Sequence, residues 1–321
     1  MKSIFHYPGG KSRISIQERV LGMFPKEYEA YREPFVGGGG IFFAVPKLAE
    51  RWVNDMDAGL IAVYQRMATD FDAFLALCQS IEPGRKDEPL TSARVGSRER
   101  VNARLKTIFD QFVADDAMDP ALRFLFINRH VWMGRVRYER LARMYFSDSA
   151  GWNVITKPFF RKAGELLSGV RVTCGDYERV MLEPSCADTV VYADPPYASN
   201  TEFADSYKMY TYNFGWDDHK RFADIASRCP HKLVISYDDH PVVRELFADE
   251  KYHIFSTSWA YSGRPSEQKK RGAELVIINF DPSLCRSIPE DMRLIEKTLA
   301  SPETPASPET PATHPSEKET S

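Results

Sequence analysis

The sequence predicts an α/β protein with an open, largely parallel sheet that carries an inserted helical segment. Short apolar runs typical of buried strands alternate along the chain with helical patterns, as they do in βαβ units. A mostly helical, basic stretch at about residues 60–168 interrupts this alternation. A glycine-rich turn after the first clear strand is typical of ligand sites at the carboxyl ends of strands in such sheets.

The predicted elements follow from apolar runs bounded by turn residues. Strands are predicted at Ala30–Val36, Trp52–Asn54, Val170–Cys174, Thr189–Ala193, Lys232–Tyr237, Tyr252–Ser258 and Glu274–Phe280. Helices are predicted at Ile41–Arg51, Ala58–Ser80, Asp218–Arg228 and Pro241–Phe247, with a further mostly helical stretch at 98–167. This order divides the chain into one domain formed by residues 1–60 and 168–285, an insert at 61–167, and a tail at 286–321.

The tail is predicted to be disordered. It repeats Ser-Pro-Glu-Thr-Pro-Ala at 301–306 and 307–312 and has no large apolar residue after position 301. A segment rich in Pro, Thr and Glu buries too little apolar surface to offset the entropy of folding. No function is assigned to it.

The charge distribution points to a polyanionic partner. The whole chain has a net charge of −3, but the tail from Ser301 alone holds four Glu and one Lys, so residues 1–300 are electrically balanced. Within them, residues 121–174 hold ten Lys and Arg against three acids. A local basic patch matters more for binding nucleic acid than the charge of the whole chain.

The composition is that of an ordinary soluble protein, with 43% hydrophobic and 27% charged residues. No apolar run approaches the 18 residues that a membrane span requires, and the N-terminus lacks the apolar core of a signal peptide. The five cysteines are scattered without a CxxC pair, which predicts reduced, buried thiols in a cytosolic protein and no metal site.

Four consecutive glycines, Gly37–Gly40, follow the first confident strand and predict a nucleoside-containing cofactor. Glycines permit positive φ and leave the backbone open to a ligand. Phe42 occupies the place of the third glycine of the dinucleotide fingerprint, which disfavours a nicotinamide cofactor. Asp55, after the next strand, is an acid of the kind that holds ribose hydroxyls. A second glycine pair before Lys11 lacks the rest of a phosphate-binding loop, so a nucleotide triphosphatase is rejected.

The tetrapeptide Asp194–Tyr197 is the most informative feature of the chain. It follows the apolar run Thr189–Ala193, which is typical of a buried strand. Two prolines fix φ and donate no backbone hydrogen bond, so the turn is stiff. A carboxylate, a free carbonyl and a flat ring at one sheet edge suit a planar substrate with an exocyclic amino group. The predicted catalytic residues are Asp194, Pro195, Pro196 and Tyr197.

In this order, the motifs resemble the Dam-type, alpha-group DNA adenine methyltransferases, which use S-adenosylmethionine. The resemblance rests on Tyr7–Lys11, Glu33–Gly39, Asn54-Asp55 and Asp194–Tyr197, and it extends over roughly residues 4–280. Weaker similarities lie in Asn128-Arg129 with Gly134, Arg137 and Tyr138, in Cys174–Tyr177, in Ile235-Ser236 and in a basic loop before Glu274. The resemblance implies a Rossmann-like methyltransferase sheet with an inserted helical DNA-recognition domain.

The resemblance also implies residue roles. Asp194 and the Pro195 carbonyl would accept hydrogens from the adenine amino group, and Tyr197 would stack on the base after it is extruded from the duplex. Asp55 would hold the ribose of the cofactor. The full set of cofactor-binding residues that it implies is Tyr7, Pro8, Gly9, Lys11, Phe35, Gly37, Gly39, Asp55, Asp176 and Tyr177.

The basic insert is predicted to bind double-stranded DNA. Arg137 matches the base-reading arginine of the family, and arginine bidentate to guanine is the commonest specific contact in the major groove. Trp132 and Met133 stand where the family often has Tyr-Asn, and an apolar wedge of this kind can intercalate. Phosphate contacts are predicted for Arg129, Arg135, Lys157, Arg161 and Lys162. GATC is the leading candidate site.

Several alternatives remain open at this stage. The same local chemistry serves a cytosine amino group, an RNA base or a protein glutamine, although glutamine enzymes typically have Asn in place of Asp194. A non-catalytic DNA-binding relative is a further alternative that the intact Asp194, Tyr197 and Asp55 disfavour. The resemblance implies a monomer without an obligate protein partner, in the cytoplasm of a bacterium or encoded by a phage.

Overall fold

An eight-stranded sheet forms the centre of the computed structural model of the chain, with strand order β3-β2-β1-β4-β5-β7-β6-β8. The structure describes residues 3–7, 10–81, 106–131, 134, 136, 152–202, 214–259 and 272–295. The strands are β1 (Ala30–Glu33), β2 (Glu50–Asp55), β3 (Arg171–Cys174), β4 (Thr189–Ala193), β5 (Lys232–Asp238), β6 (His253–Trp259), β7 (Gly272–Ile278) and β8 (Arg293–Leu294). Thr189–Ala193 has the predicted bounds, and the predicted α/β fold class is confirmed.

The direction of the strands determines which of their ends lie together. Strands β1 to β5 are mutually parallel, whereas β7 is antiparallel to β5 and β6, and β8 is antiparallel to β6. The carboxyl ends of the five parallel strands therefore lie at the same edge of the sheet. β1 lies between β2 and β4, and this point, where the strand order reverses, is where open α/β sheets bind their ligands.

Helices cover both faces of the sheet. They are α1 (Ile14–Gly22), α2 (Ala58–Thr69), α3 (Phe71–Ser80), α4 (106–114), α5 (Pro120–His130), α6 (Pro158–Leu167), α7 (Glu178–Leu182), α8 (Ala198–Glu202), α9 (Trp216–Arg228) and α10 (Pro241–Leu246). Two apolar cores result, one on each face. The first lies under α1 to α6, and the second lies under α7, α9 and α10. Burial on both faces explains why β1 and β4 are buried at every position.

Local sequence explains where several helices begin. The Asp57 carboxylate accepts hydrogen bonds from the backbone N–H groups of Gly59 and Leu60 and so caps α2. Asp119 caps α5 in the same way, and Pro120 stands at the first helical position, where its missing N–H costs nothing. Such caps satisfy backbone donors that the helix itself leaves free.

Most predicted strands differ from the structure by one to three residues at an end, and three other predictions are wrong in kind. The predicted helix Ile41–Arg51 is a 3-10 turn at Phe42–Ala44 followed by β2, because Val45 precedes Pro46 and takes an extended conformation. The predicted helix Ala58–Ser80 is two helices that meet at Asp70, whose φ of −151° is not helical. The tail begins later than 286, since Met292 is buried and β8 pairs with β6.

The cysteines differ in their exposure to solvent. Cys78, Cys174, Cys186, Cys229 and Cys285 are all free thiols. The expectation that they are buried is wrong for Cys174 and Cys186, which are exposed because they lie at the end of an edge strand and in a loop. Within the described ranges, no helix has both the length and the apolar character needed to cross a membrane.

The predicted insert shares its apolar core with the sheet. Phe124 on α5 and Phe160 on α6 are buried in the same cluster as Val53 and Tyr192, which lie on strands. The Phe124 ring lies 6.1 Å from the ring of Phe5 in the N-terminal segment, in an edge-to-face arrangement. The helical region and the sheet are therefore expected to unfold together.

Phe124→Ala is expected to lower the free energy of unfolding by roughly 3–5 kcal/mol, because it leaves a cavity in this shared core. Urea unfolding followed by circular dichroism would show one transition at a lower midpoint. Ile14→Ala is the control, since Ile14 is 70% exposed and its loss is expected to change stability by no more than about 0.5 kcal/mol. A separate early transition in the wild type would contradict the shared core.

Candidate active site

Four chemically distinct features meet at the carboxyl edge of the sheet. The glycine loop follows β1, Asp55 ends β2, Asp194 follows β4, and Asp238 ends β5. Because these strands are neighbours in the sheet, their ends bring together residues far apart in sequence. The N-terminal segment, which carries Tyr7 and Lys11, lies against this edge.

Lys11 is the centre of the site. Its ammonium donates hydrogen bonds to both carboxylate oxygens of Asp194, at 2.6 and 2.7 Å, and to the hydroxyl of Tyr197, at 2.9 Å. The lysine side chain is only 3% exposed, and that of Asp194 is 20% exposed. The sequence assigned Lys11 to the cofactor and Asp194 to catalysis, whereas the structure joins them in one cluster.

The environment sets the protonation of Asp194. Burial raises the pKa of its carboxyl above the usual value, and the neighbouring Lys11 charge and hydrogen bonds lower it. Since burial disfavours the charged form, the ammonium is the group that favours the carboxylate here. The arrangement therefore provides a hydrogen-bond acceptor of tuned basicity beside the Tyr197 ring.

The glycine loop is shaped by packing against protein as much as by access for a ligand. Gly37 and Gly39 have φ values of +43° and +67°, which favour glycine. A side chain at Gly39 would place its Cβ 2.5 Å from the Tyr64 hydroxyl oxygen, and one at Gly40 would lie 2.7 Å from the Lys11 carbonyl carbon. The sequence predicted the need for glycine but did not reveal this second reason.

Asp55 holds the glycine loop to β2. Its Oδ2 accepts a hydrogen bond from the Gly37 N–H at 2.8 Å, and its Oδ1 accepts one from the Asp57 N–H at 3.1 Å. Burial raises the pKa of Asp55 to about 6. A carboxylate offers roughly four acceptor positions, and the backbone N–H groups of Gly37, Asp57 and Met56 use part of this capacity.

Asp176 and Tyr177, which are predicted to bind the cofactor, are both in contact with other side chains of the protein. Asp176 accepts two hydrogen bonds from the guanidinium of Arg221, at 2.8 and 3.0 Å, and this pairing lowers the pKa of Asp176. Tyr177 is 5% exposed and packs against Phe35 with ring centroids 4.9 Å apart. Phe35 also contacts Phe222, so both aromatic residues form the wall of the second core beneath the site.

Two residues that the motifs did not single out contribute to this edge. Asp238 accepts hydrogen bonds from the N–H groups of Ala198 and Ser199, at 2.9 and 2.8 Å, and so fixes the chain directly after Tyr197. Met56, next to Asp55, leaves 42% of its side chain exposed. Asp238 is the last residue of β5 and Met56 follows the last residue of β2, and this place at a strand end is the signal by which the sequence could have identified them.

The predicted DNA-contacting residues differ in exposure. Lys157, Arg161 and Lys162 are exposed near the start of α6. Arg129 is only 8% exposed, and burial lowers its pKa to about 10, so its guanidinium lies within the protein. The predicted residues that lie outside the described part of the chain are Pro8, Gly9, Trp132, Met133, Arg135 and Arg137.

Comparison with known proteins adds independent information. The model of a family described as D12 class N6 adenine-specific DNA methyltransferase matches residues 7–262. The DNA adenine methylase of Vibrio cholerae is 26% identical over 297 residues, which are 88% of this chain and 97% of that protein. A type II methyltransferase of Lactococcus lactis is 22% identical over 283 residues, covering 85% of this chain and 94% of that protein.

The DNA N-6-adenine-methyltransferase of Escherichia phage P1 is 27% identical over 264 residues, or 79% of this chain. The matched region covers 32% of the phage protein, so the chain spans about a third of that relative. The similarity to all three proteins includes both the sheet and the helical region.

Gly39→Ala is expected to destabilise the protein more than Gly169→Ala. Both glycines have left-handed φ values, +67° and +75°, so both changes carry the same conformational cost, roughly 1–2 kcal/mol. A Cβ at Gly169 meets nothing within 4 Å, whereas one at Gly39 meets Tyr64 and Phe43. Overpacking should add about 1–3 kcal/mol at Gly39, measured by urea unfolding. Equal losses would show that the loop does not depend on close packing.

Proposed function

The chain belongs to the D12 class of N6 adenine-specific DNA methyltransferases, and on this basis we propose that it transfers a methyl group from S-adenosylmethionine to the exocyclic amino group of adenine in a short duplex site. The observation that carries the proposal is the cluster at the carboxyl end of β4 in which the buried Lys11 bonds to the partly exposed Asp194 and Tyr197. It places an acceptor and a flat ring beside the glycine loop and Asp55.

The residues at the ends of β1 and β2 fit the proposed cofactor. The Asp55 carboxylate, which also accepts backbone hydrogen bonds from Gly37 and Asp57, is proposed to hold the ribose hydroxyls. Met56 offers an exposed apolar side chain for a flat base beside it. Gly37 presents backbone without a side chain next to the same carboxylate. When bound, S-adenosylmethionine supplies an electrophilic methyl group on a sulfonium.

Asp194 acts on the nitrogen that receives the methyl group. The adenine amino group is a poor nucleophile because its lone pair is delocalised into the ring. The Asp194 carboxylate and the Pro195 carbonyl accept its two hydrogens and favour a tetrahedral nitrogen. Acceptors placed beside the developing positive charge stabilise the transition state more than the ground state, and this difference lowers the barrier. After the transfer, one proton would leave the positively charged nitrogen through the Asp194 carboxylate to solvent.

Lys11 favours the ionised form of Asp194 and fixes the position of Tyr197. By pairing with both oxygens, Lys11 lowers the pKa of a carboxyl that burial raises, and so favours its carboxylate form. Its bond to the Tyr197 hydroxyl fixes the ring proposed to stack on the extruded base. Each oxygen of a carboxylate accepts more than one hydrogen bond, so the amino group joins the lysine instead of replacing it.

Double-stranded DNA is the proposed partner, contacted by the basic insert. The exposed Lys157, Arg161 and Lys162 suit phosphate contacts, and Arg137 remains the proposed base reader. Extrusion of the base follows from the geometry of DNA, since the amino group is out of reach within the duplex. GATC is the proposed site, and a monomer acting on DNA in the cytoplasm of a bacterium or phage-infected cell is the proposed setting.

S-Adenosylmethionine binding is expected to weaken as the pH falls through about 6, the pKa of Asp55. Protonation removes acceptor capacity for the ribose, and at pH 5 about a tenth of the group stays ionised, so affinity should fall up to about tenfold from pH 7.5. Calorimetric titration between pH 5 and 8 measures this.

Asp55→Asn is the control, and it should bind weakly with no such pH dependence. Because the folded-state pKa is raised, protonation of Asp55 by itself stabilises the fold as the pH falls, so unfolding through this group does not explain lost binding. A melting curve at each pH checks this point. A wild-type affinity that stays constant from pH 7.5 to 5 would remove Asp55 from the cofactor site.

Methylation itself is tested by long-read sequencing of plasmid DNA from a methylation-free host that expresses the chain. We expect N6-methyladenine at one short motif, GATC, and none with Asp194→Ala. Asp188→Ala is the matched control, because Asp188 precedes β4 as Asp194 follows it and lies at the opposite edge of the sheet. Asp188→Ala should leave the pattern unchanged.

Each alternative predicts a different pattern. Methylcytosine would keep the fold and the chemistry but change the base. Unmethylated DNA from a host with folded, cofactor-binding protein would refute the proposed substrate and favour RNA or a protein glutamine. Substantial methylation by Asp194→Ala would refute the role given to Asp194.

A further inference from the structure

Asn128, in the last turn of α5, joins two segments that are far apart in sequence. Its side chain is fully buried. Its Oδ1 accepts a hydrogen bond from the His6 N–H at 3.1 Å, and its Nδ2 donates to the His6 carbonyl at 2.8 Å and to the Gly134 carbonyl at 2.9 Å. One acceptor and two donors are therefore used, which is the pattern that an amide side chain provides and a carboxylate does not.

Gly134 completes this junction by close approach. Its φ is +67°, and a Cβ there would lie 1.9 Å from the His6 carbonyl oxygen. The Gly134 N–H also donates to the Val131 carbonyl at 3.1 Å, which closes a turn directly after α5. The chain at position 134 is thus held against the backbone of His6 by a turn, by Asn128 and by the absence of a side chain.

The His6 side of the junction leads directly to the proposed catalytic cluster. Tyr7 is the next residue, and its carbonyl accepts a hydrogen bond of 3.2 Å from the N–H of Gly10, which directly precedes Lys11. The Tyr7 ring lies close to Gly37: a Cβ on Gly37 would be 2.9 Å from a carbon of this ring. His6 is therefore next to a residue that packs on the glycine loop, and it lies five positions before Lys11.

We propose that Asn128 is a positioning residue that locks the end of α5 and Gly134, both in the predicted DNA-reading segment, onto the N-terminal segment. Engagement of the duplex by the first segment then fixes the position of Lys11, and through it Asp194. The inference rests on the proposed function, because it assigns DNA to the insert. It adds that recognition of the DNA site controls the rate of methyl transfer.

Asn128→Asp tests the proposal, since it keeps the acceptor for His6 and removes both donors with almost no change in shape. At saturating duplex DNA, the single-turnover methylation rate is expected to fall at least about tenfold, and the ratio of rates on the cognate site and a site with one changed base should narrow. Affinities for S-adenosylmethionine and for the duplex should stay within about threefold, because the Asn128 side chain is fully buried and bonded to other parts of the protein.

Asn153→Asp is the matched control. Asn153 is an exposed asparagine of the same helical region, so this variant adds the same charge without touching the junction. Asn128→Ser, which is small and neutral, should also lower the rate and keeps the test open if the aspartate variant fails to fold. Gly134→Ala should slow the reaction too, and combining it with Asn128→Asp should add little because both open the same junction.

The outcomes separate the two proposals. A wild type that does not methylate DNA refutes the proposed function. A wild type that methylates, with Asn128→Asp as fast and as selective as Asn153→Asp, overturns the positioning role alone. A rate that falls only in step with melting temperature and cofactor affinity also overturns it, because a merely structural residue would act that way.

Discussion

The buried ion pair between Lys11 and Asp194 is the interaction on which the rest of the site depends. Removing a lysine ammonium from water is costly unless a partner of opposite charge and good geometry replaces the solvent. Lys11 is 3% exposed, and its bonds of 2.6 and 2.7 Å to Asp194 provide that replacement. Since a buried ammonium without its partner would be strongly destabilising, the N-terminal segment is held where Asp194 stands.

The surrounding packing is adapted to that position. Gly40 has no room for a Cβ because the Lys11 backbone passes beside it, and the Gln17 side chain donates to the Gly40 carbonyl at 2.6 Å. Tyr64 donates to the Gly37 carbonyl at 3.0 Å from the opposite side. The glycine loop is therefore clamped between the N-terminal segment and α2. Its shape is fixed before any ligand arrives, which reduces the entropy lost on binding.

The sequence predicted those parts of the site that depend on local pattern. Apolar runs located β4 and β5, and residues directly after strands identified Asp55 and Asp194, because parallel strands present their carboxyl ends at one edge. The place of a residue at a strand end does not show which side chains from distant segments of the chain contact it. The pairing of Lys11 with Asp194 joins residues 183 positions apart, and no local pattern encodes it.

The errors have the same physical origin. The helix predicted at 41–51 relied on apolar spacing and overlooked the restriction that Pro46 places on Val45. The basic stretch suggested that Arg129 is exposed, yet tertiary packing of the last turn of α5 buries it. Charge counted along a sequence does not distinguish a residue that faces solvent from one that faces the core.

The electrostatics of the edge explain why a cationic ligand suits it. Glu33, Asp55 and Asp194 are all carboxyl groups whose pKa values burial raises, and repulsion from Asp194 and Asp55 contributes to the rise at Glu33. Such carboxyl groups favour any change that brings positive charge near them, because it lowers the cost of ionisation. A sulfonium, with its fixed positive charge, would supply that charge without donating a proton. In the proposed reaction, the product of methyl transfer would carry one positive charge less than S-adenosylmethionine, so the same carboxylates would hold it less tightly.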